Sequence, residues 1–329
     1  MVHPAVVGAR FTKALLQSGA ARVTGRPRRK NWSLLAETMF RFMKDDSARI
    51  QHESWEVIRA HQESLVQPCA VASQVTAQDV DVDGLPGLVL RPANGPQPHA
   101  WVLYLHGGSY LYGSTRTHFD LMARLALESG ARVLGVNYRL APEHAFPAAL
   151  EDAHQTWRWL LAQGAAPHHV VVAGDSAGAA LAVSLACAVR DAGGPGPAAL
   201  LLVCPWVDLA ARGGSLETHA QYDWGEPWMF ERWAKAVAGP LDHKDPRLSP
   251  VYANLKGLAP MLIQAGGAEM LLDQEQALAQ KAQAAGVDVT LEVTADMVHN
   301  WHMFAAMLPE SRAALTRAGA FVKQHTMQR

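Results

Sequence analysis

The segment Gly174-Asp175-Ser176-Ala177-Gly178 sets one serine between two glycines. It follows an apolar run at 170–173 and precedes a small-residue helical run at 179–189. Strand, sharp turn and helix form the context that lifts a serine hydroxyl above a sheet as a nucleophile. Larger residues at 174 and 178 would clash in so tight a turn. The serine would also stand at a helix N-terminus, where developing negative charge is favoured. The chemistry predicted is acyl transfer through an activated serine. The five-residue pattern recurs by chance in glycine-rich strand-to-helix turns, so its two flanks carry the argument.

A second glycine pair, in His106-Gly107-Gly108-Ser109, directly follows the apolar run 101–105. Two glycines let backbone N–H groups approach a substrate oxygen closely. Gly107, Gly108 and Ala177 are the predicted oxyanion donors, each worth roughly 3–4 kcal/mol in a transition state. His106 precedes the nucleophile in the chain, which fits a loop-organising hydrogen bonder better than a base.

The order nucleophile, acid, histidine asks for a base near the C-terminus. Among 15 histidines, His299 lies just after the last strand-like run, in Met297-Val298-His299-Asn300-Trp301, with His302 as its rival. No cluster of cysteines or carboxylates nearby in sequence completes a metal site around the pair, so no metal is expected. Two carboxylates follow the run 261–264, Glu269 and Asp273. Glu269 is nearer the C-terminal end of that strand, where such sites lie. Asp273 would otherwise cap a helix running from Gln274 onward.

These residues need a scaffold. Short apolar runs at 101–105, 132–136, 170–173, 200–203, 261–264 and 289–293 alternate with helical stretches. Continuous apolar runs suit strands buried on both faces, and the alternation implies crossover units and a parallel sheet. An extended segment at 71–82, an Asp83-Gly84 turn and a second segment at 85–91 predict an antiparallel hairpin at one edge. The total is eight strands. Residues 1–68 predict short helices forming an N-terminal cap, with Phe11, Leu15 and Leu16 on one face and Leu34, Leu35, Met39 and Phe40 on another. Residues 69–329 would be the catalytic domain. An aromatic insertion at about 208–250 would add to the cap, and Trp206, Trp224, Trp228, Phe230 and Trp233 would either line an acyl pocket or pack it. Asp208 is expected to organise its loop. Arg139, Glu143 and Asp152 are expected to form a buried structural network.

Hydrophobic residues make up 49% of the 329 residues, enough for a large core. Lys plus Arg is 29 against 30 for Asp plus Glu, which argues against a nucleic-acid coat. No run approaches the roughly 18–20 apolar residues of a membrane span. Seven basic residues, Arg10 to Lys30, precede the first acid, Glu37. They lack the apolar core of a secretory signal. A basic amphipathic start also allows contact with a lipid surface. Three cysteines without a motif predict a reducing, cytoplasmic setting.

Three blocks together carry a resemblance: His106-Gly107-Gly108, then Asn137-Tyr138-Arg139-Leu140-Ala141-Pro142-Glu143-His144 with Phe146 to Asp152, then Gly174 to Gly178. In order and placement the chain resembles the hormone-sensitive-lipase family (GDSAG type) of α/β-hydrolase esterases from about 75 to 329. Ser109 departs from it, since many members carry a third glycine there. The resemblance implies an α/β-hydrolase fold with an N-terminal helical cap, a serine esterase activity and no cofactor. It aligns Leu271-Leu272-Asp273 on the family's second aspartate, which puts Glu269 in the catalytic position, 30 residues before His299. The expected triad is therefore Ser176, His299 and Glu269. The expected substrate is a small-molecule ester with a short or medium acyl chain, or a compact alicyclic or aryl ester. A lactone hydrolase on the same triad and a non-catalytic small-molecule receptor are the alternatives. The run 289–293 is the expected second edge of the sheet, which raises a homodimer through it as a hypothesis.

Overall fold

The computed structural model describes residues 4–95 and 97–326. The outermost residues of the two segments expected from the sequence, 1–3 and 327–329, lie outside that range.

Eight strands form one sheet: β1 (Val75–Val82), β2 (Leu85–Pro92), β3 (Trp101–Leu105), β4 (Arg132–Val136), β5 (Val170–Asp175), β6 (Ala199–Val203), β7 (Met261–Gly266) and β8 (Val289–Thr294). Their spatial order is β1-β2-β4-β3-β5-β6-β7-β8. β1 pairs antiparallel with β2, and β2 antiparallel with β4; the remaining neighbours are parallel. This is the α/β-hydrolase arrangement. Every residue of β3, β5, β6 and β7 is buried.

The two-residue period of a strand splits these side chains between two cores. Leu103, Leu105, Val170, Val172, Leu200, Leu202 and Ile263 face one core. That core is closed by α5 (Ala148–Ala162), α6 (Ala177–Asp191) and α9 (Leu272–Ala284). Val102, Tyr104, Val171, Ala173, Leu201 and Leu262 face the other, under α4 (Phe119–Ser129) and α10 (Pro309–Thr326). Parallel strands therefore bring the C-terminal ends of β3, β5, β6 and β7 to one rim of a three-layer sandwich, where ligands bind in such sheets.

Of the N-terminal helices, α1 (Pro4–Val23) packs on α2 (Leu34–Ile50), while α2 and the start of α3 (Trp55–Ser64) reach the segment between β6 and β7 with its helices α7 (Ser215–Thr218) and α8 (Pro227–Ala238). Lys44 pairs with Glu226 at 2.6 Å, and Trp233 Nε1 donates to Gln51 Oε1 at 2.9 Å. Much of the basic N-terminus is used internally. Arg10 pairs with Asp46, Arg22 with the fully buried Glu37, and Arg29 with Asp296.

Three details differ from the sequence expectations. The first strand begins at Val75, because exposed Ala72, Ser73 and Gln74 close a short 3-10 turn instead. In α1 the buried residues are Ala14 and Ser18, while Leu15 and Leu16 are exposed. In α2 the buried face carries Ala36, Met39 and Phe40, leaving Leu34 and Leu35 exposed.

Candidate active site

Ser176 stands between the end of β5 and the start of α6 with φ 54° and ψ −119°, a backbone conformation that L-residues rarely adopt. The close approach explains the flanking glycines. A Cβ at Gly178 would strike the carbonyl oxygens of Leu105 and His106, and one at Gly174 would strike the backbone of Gly178. The strained turn is held by backbone bonds to the neighbouring strand end. Ser176 N donates to Val203 O at 2.8 Å, and Trp206 N donates to Ser176 O at 3.0 Å.

The loop after β8 brings His299 to the serine. His299 Nε2 lies 2.9 Å from Ser176 Oγ, and Nδ1 lies 2.8 Å from Glu269 Oε2. Glu269 Oε1 accepts the Gly266 N–H at 2.6 Å. All three side chains are buried. Burial alone would lower the His299 pKa; the hydrogen bond and charge of Glu269, with Asp223 and Asp175 beyond, hold it above the ordinary value. In this arrangement an imidazole can take a proton from a serine at Nε2 while its Nδ1–H stays bonded to a carboxylate.

The glycine loop lies beside the elbow. Among the described residues, the N–H groups of Gly108, Ser109 and Ala177 make no hydrogen bond. The Gly107 N–H does, to Asp175 Oδ1 at 2.8 Å. Gly107 thus serves the loop, which departs from its expected part in the oxyanion trio.

The profile describing the alpha/beta hydrolase fold matches residues 102–303. The chain is 45% identical over 238 residues to an acetyl-hydrolase of Streptomyces hygroscopicus, covering 72% of this chain and 79% of that protein. It is 31% identical over 297 residues to an ethyl acetate hydrolase of Pseudomonas putida, covering 86% and 91%. A solved esterase from the bacterial hormone-sensitive lipase family superposes with a TM-score of 0.83 at 39% identity, covering 86% of this chain and 96% of that one. The chain belongs to the hormone-sensitive lipase family of α/β-hydrolase esterases.

In this esterase the rivals in the sequence have other work. His302 lies in a 3-10 turn (Trp301–Phe304), with Nε2 3.1 Å from Gln264 Oε1, and burial pushes its pKa down to about 3. Asp273 does not cap α9, which begins at Leu272 without a side-chain cap. Its Oδ2 accepts the Ser215 N–H at 2.7 Å, anchoring the start of α7. His106 stacks on Tyr138 at 4.2 Å, and burial lowers its pKa to about 3, so it remains a neutral loop organiser. Asp208 accepts Ala210 N–H and Tyr252 O–H, both at 2.9 Å. Arg139 and Asp152 are bonded as expected, but Glu143 is exposed and pairs instead with Arg59 of α3 at 2.6 Å.

The esterase's aromatic residues form a wall beside the triad. Trp206 packs edge-on against Phe230 at 5.8 Å and Trp233 at 6.2 Å. Trp224 continues the wall, its ring 5.6 Å from His299 and its Nε1 donating to His299 O at 3.1 Å. Trp228 does not join it. Its ring stacks on His52 at 4.5 Å, joining α8 to the segment between α2 and α3.

Sequence reasoning missed two carboxylates of the esterase. Asp223 accepts the N–H groups of His299, Trp224 and Met270. Asp175 accepts Tyr104 O–H at 2.7 Å, Gly107 N–H at 2.8 Å and Asn300 Nδ2–H at 2.8 Å. Burial would raise the Asp175 pKa, but His118, Tyr104 and Gly107 hold it well below the usual carboxylate range. Asp175 lies within the serine motif and Asp223 in no motif, but neither role could be read locally, since their partners come from distant segments. Cys204 Sγ also lies within 4.8 Å of ligating atoms of Glu269 and His299. Its thiol is kept protonated by burial and by the Glu269 charge, and both ring nitrogens of His299 are already engaged.

Proposed function

We propose that the esterase hydrolyses short-chain carboxylic esters through an acyl-enzyme, with Ser176 as nucleophile, His299 as general base and acid, and Glu269 as the orienting carboxylate. The observation that carries this reading is the line Ser176 Oγ, His299, Glu269 at 2.9 and 2.8 Å on a strained elbow. Ser176 Oγ attacks the ester carbonyl as its proton passes to His299 Nε2. The carbonyl oxygen becomes an oxyanion facing the N–H groups of Gly108 and Ala177. His299 returns the proton to the leaving alcohol oxygen as the C–O bond breaks. A water then gives its proton to His299 and attacks the acyl carbon; Ser176 leaves and recovers the proton.

An acetyl or similarly small acyl group is the favoured substrate. The aromatic wall of Trp206, Trp224, Phe230 and Trp233 closes space beside the triad. One relative is named an acetyl-hydrolase and another an ethyl acetate hydrolase. The test is p-nitrophenol release across an acyl series from acetate to laurate, with Ser176→Ala in parallel. Turnover that peaks at short chains and vanishes in the variant is expected. No turnover of any chain would overturn the reading and turn attention to lactones or to ligand binding.

The same reading takes β8 as a dimer interface, since it ends the sheet with one side unpaired and carries an exposed Val293. It takes the protein as a cytoplasmic enzyme; among the described residues no helix is long and apolar enough to cross a membrane. A monomeric mass by light scattering across a concentration series would end the dimer proposal.

A further inference from the structure

Next to the triad lies a carboxyl group that the chemistry above does not use. Glu275 stands in the first turn of α9, fully buried. Neither of its oxygens has a hydrogen-bond donor among the described residues. Glu269, itself fully buried, acts on this carboxyl both through its charge and as a side-chain hydrogen-bond partner. Two carboxylates side by side and away from water repel each other, and each loses its hydration. Asp223 adds a third negative group nearby. One proton shared by the Glu269 and Glu275 pair removes most of this cost.

The donors around the pair decide where that proton sits. Glu269 accepts the Gly266 N–H at 2.6 Å and faces His299 Nδ1 at 2.8 Å, so each of its oxygens already has a partner. The ring of His219 bonds the Glu269 backbone carbonyl at 2.9 Å, not its carboxylate. The Cys204 thiol also faces Glu269. Glu275 has no such donors, so nothing stabilises a charge on it.

We propose that Glu275 is a positioning residue, a carboxylic acid that keeps its proton at neutral pH and donates its O–H to the Glu269 carboxylate, holding it against His299. The proposal rests on the roles given above to Glu269 and His299. Burial and the Glu269 charge push the Glu275 carboxyl well above the usual range, in the same direction. The donated O–H takes up one lone pair of Glu269 and draws part of its charge away from the imidazole. Without that donor, Glu269 would act more strongly on His299, and the imidazolium would persist to higher pH.

Two measurements on the full chain test this. Infrared spectroscopy at neutral pH is expected to show the carbonyl stretch of a protonated carboxyl group in the wild type and its loss in Glu275→Gln. The acid limb of kcat/KM is expected to move up by about one pH unit in Glu275→Leu, a tenfold change in proton affinity. In Glu275→Gln, whose amide N–H can still donate, the limb is expected to return to its wild-type position. A merely structural role would lower stability or kcat in both variants without moving the limb. Identical spectra in wild type and Glu275→Gln, or one limb shared by all three proteins, would overturn the proposal. If Glu275→Leu does not fold, the infrared comparison decides alone. If the wild type turns over no ester, the catalytic reading fails while the infrared result still locates the proton.

Discussion

Asn300 Nδ2 donates to Asp175 Oδ2 at 2.8 Å. These residues are the chain neighbours of His299 and Ser176, so one hydrogen bond ties the histidine loop to the nucleophile turn across 125 positions of sequence. The other oxygen of Asp175 accepts from Tyr104 of β3 and Gly107 of the glycine loop. A single buried carboxylate thereby registers three segments whose relative placement the chemistry requires.

Replacing that carboxylate should cost both stability and rate. Asp175→Asn turns an NH2 group toward existing donors and is expected to destabilise by about 3–5 kcal/mol, as when one partner of a buried charged network is removed. Asn300→Ala should cost about 1–2 kcal/mol. The Asp175 pKa is lower in the folded than in the unfolded state. Its contribution is therefore complete above the unfolded value of about 3.9 and is lost as pH falls below it. Urea denaturation of wild type and Asp175→Asn over a falling pH series checks this: the gap between them should narrow toward acid.

Glu269→Gln should lower kcat by about 100-fold to 10,000-fold, the range set by losing the carboxylate that orients a catalytic histidine. Because Glu269 helps to raise the His299 pKa, the acid limb should also shift to lower pH. In the wild type that limb should fall above about 6.5, the ordinary histidine value. Asp273→Ala removes the acceptor for Ser215 N–H. It should cost about 1 kcal/mol of stability and leave the limb in place. A limb moved by Asp273→Ala and not by Glu269→Gln would reverse the assignment of the acid. Parallel pH–rate profiles decide it.

Gly108 has φ 109°, and a Cβ there would strike the Tyr112 carbonyl oxygen. Gly108→Ala should therefore displace the loop and reduce kcat by at least about 100-fold, the cost of one oxyanion donor. KM should change far less. Steady-state kinetics on p-nitrophenyl acetate, beside a circular-dichroism check of folding, gives the answer.

Trp224 and Trp228 should separate cleanly. Trp224→Ala removes the ring against His299 and the bond to its carbonyl. Both kcat and acyl-chain preference should change. Trp228→Ala removes a stack on His52. It should loosen the cap, seen as a lower Tm, while the chain-length profile stays as in the wild type. The same acyl series run on both variants tests this.

The amino-acid sequence alone determined the eight strands and the elbow. It did so because these are local matters: an apolar run of four to six residues, or two glycines around a serine, dictates its own backbone. It also narrowed the histidine to His299, since the position after the last strand is itself a local property. Tertiary structure decided what depends on side-chain direction. Glu269 and Asp273 are four residues apart, yet one faces His299 and the other holds Ser215. Gly107 and Gly108 are adjacent, yet the N–H of the first is bonded to Asp175. Leu15 and Leu34 were placed on shared apolar faces and lie exposed, while Ala14 and Ala36 are the buried residues beside them. Asp175 and Asp223 were invisible as organisers, because their partners are brought together only when the chain closes on itself. Hydrogen bonds between segments depend on orientations set by packing, and no spacing along the chain encodes them.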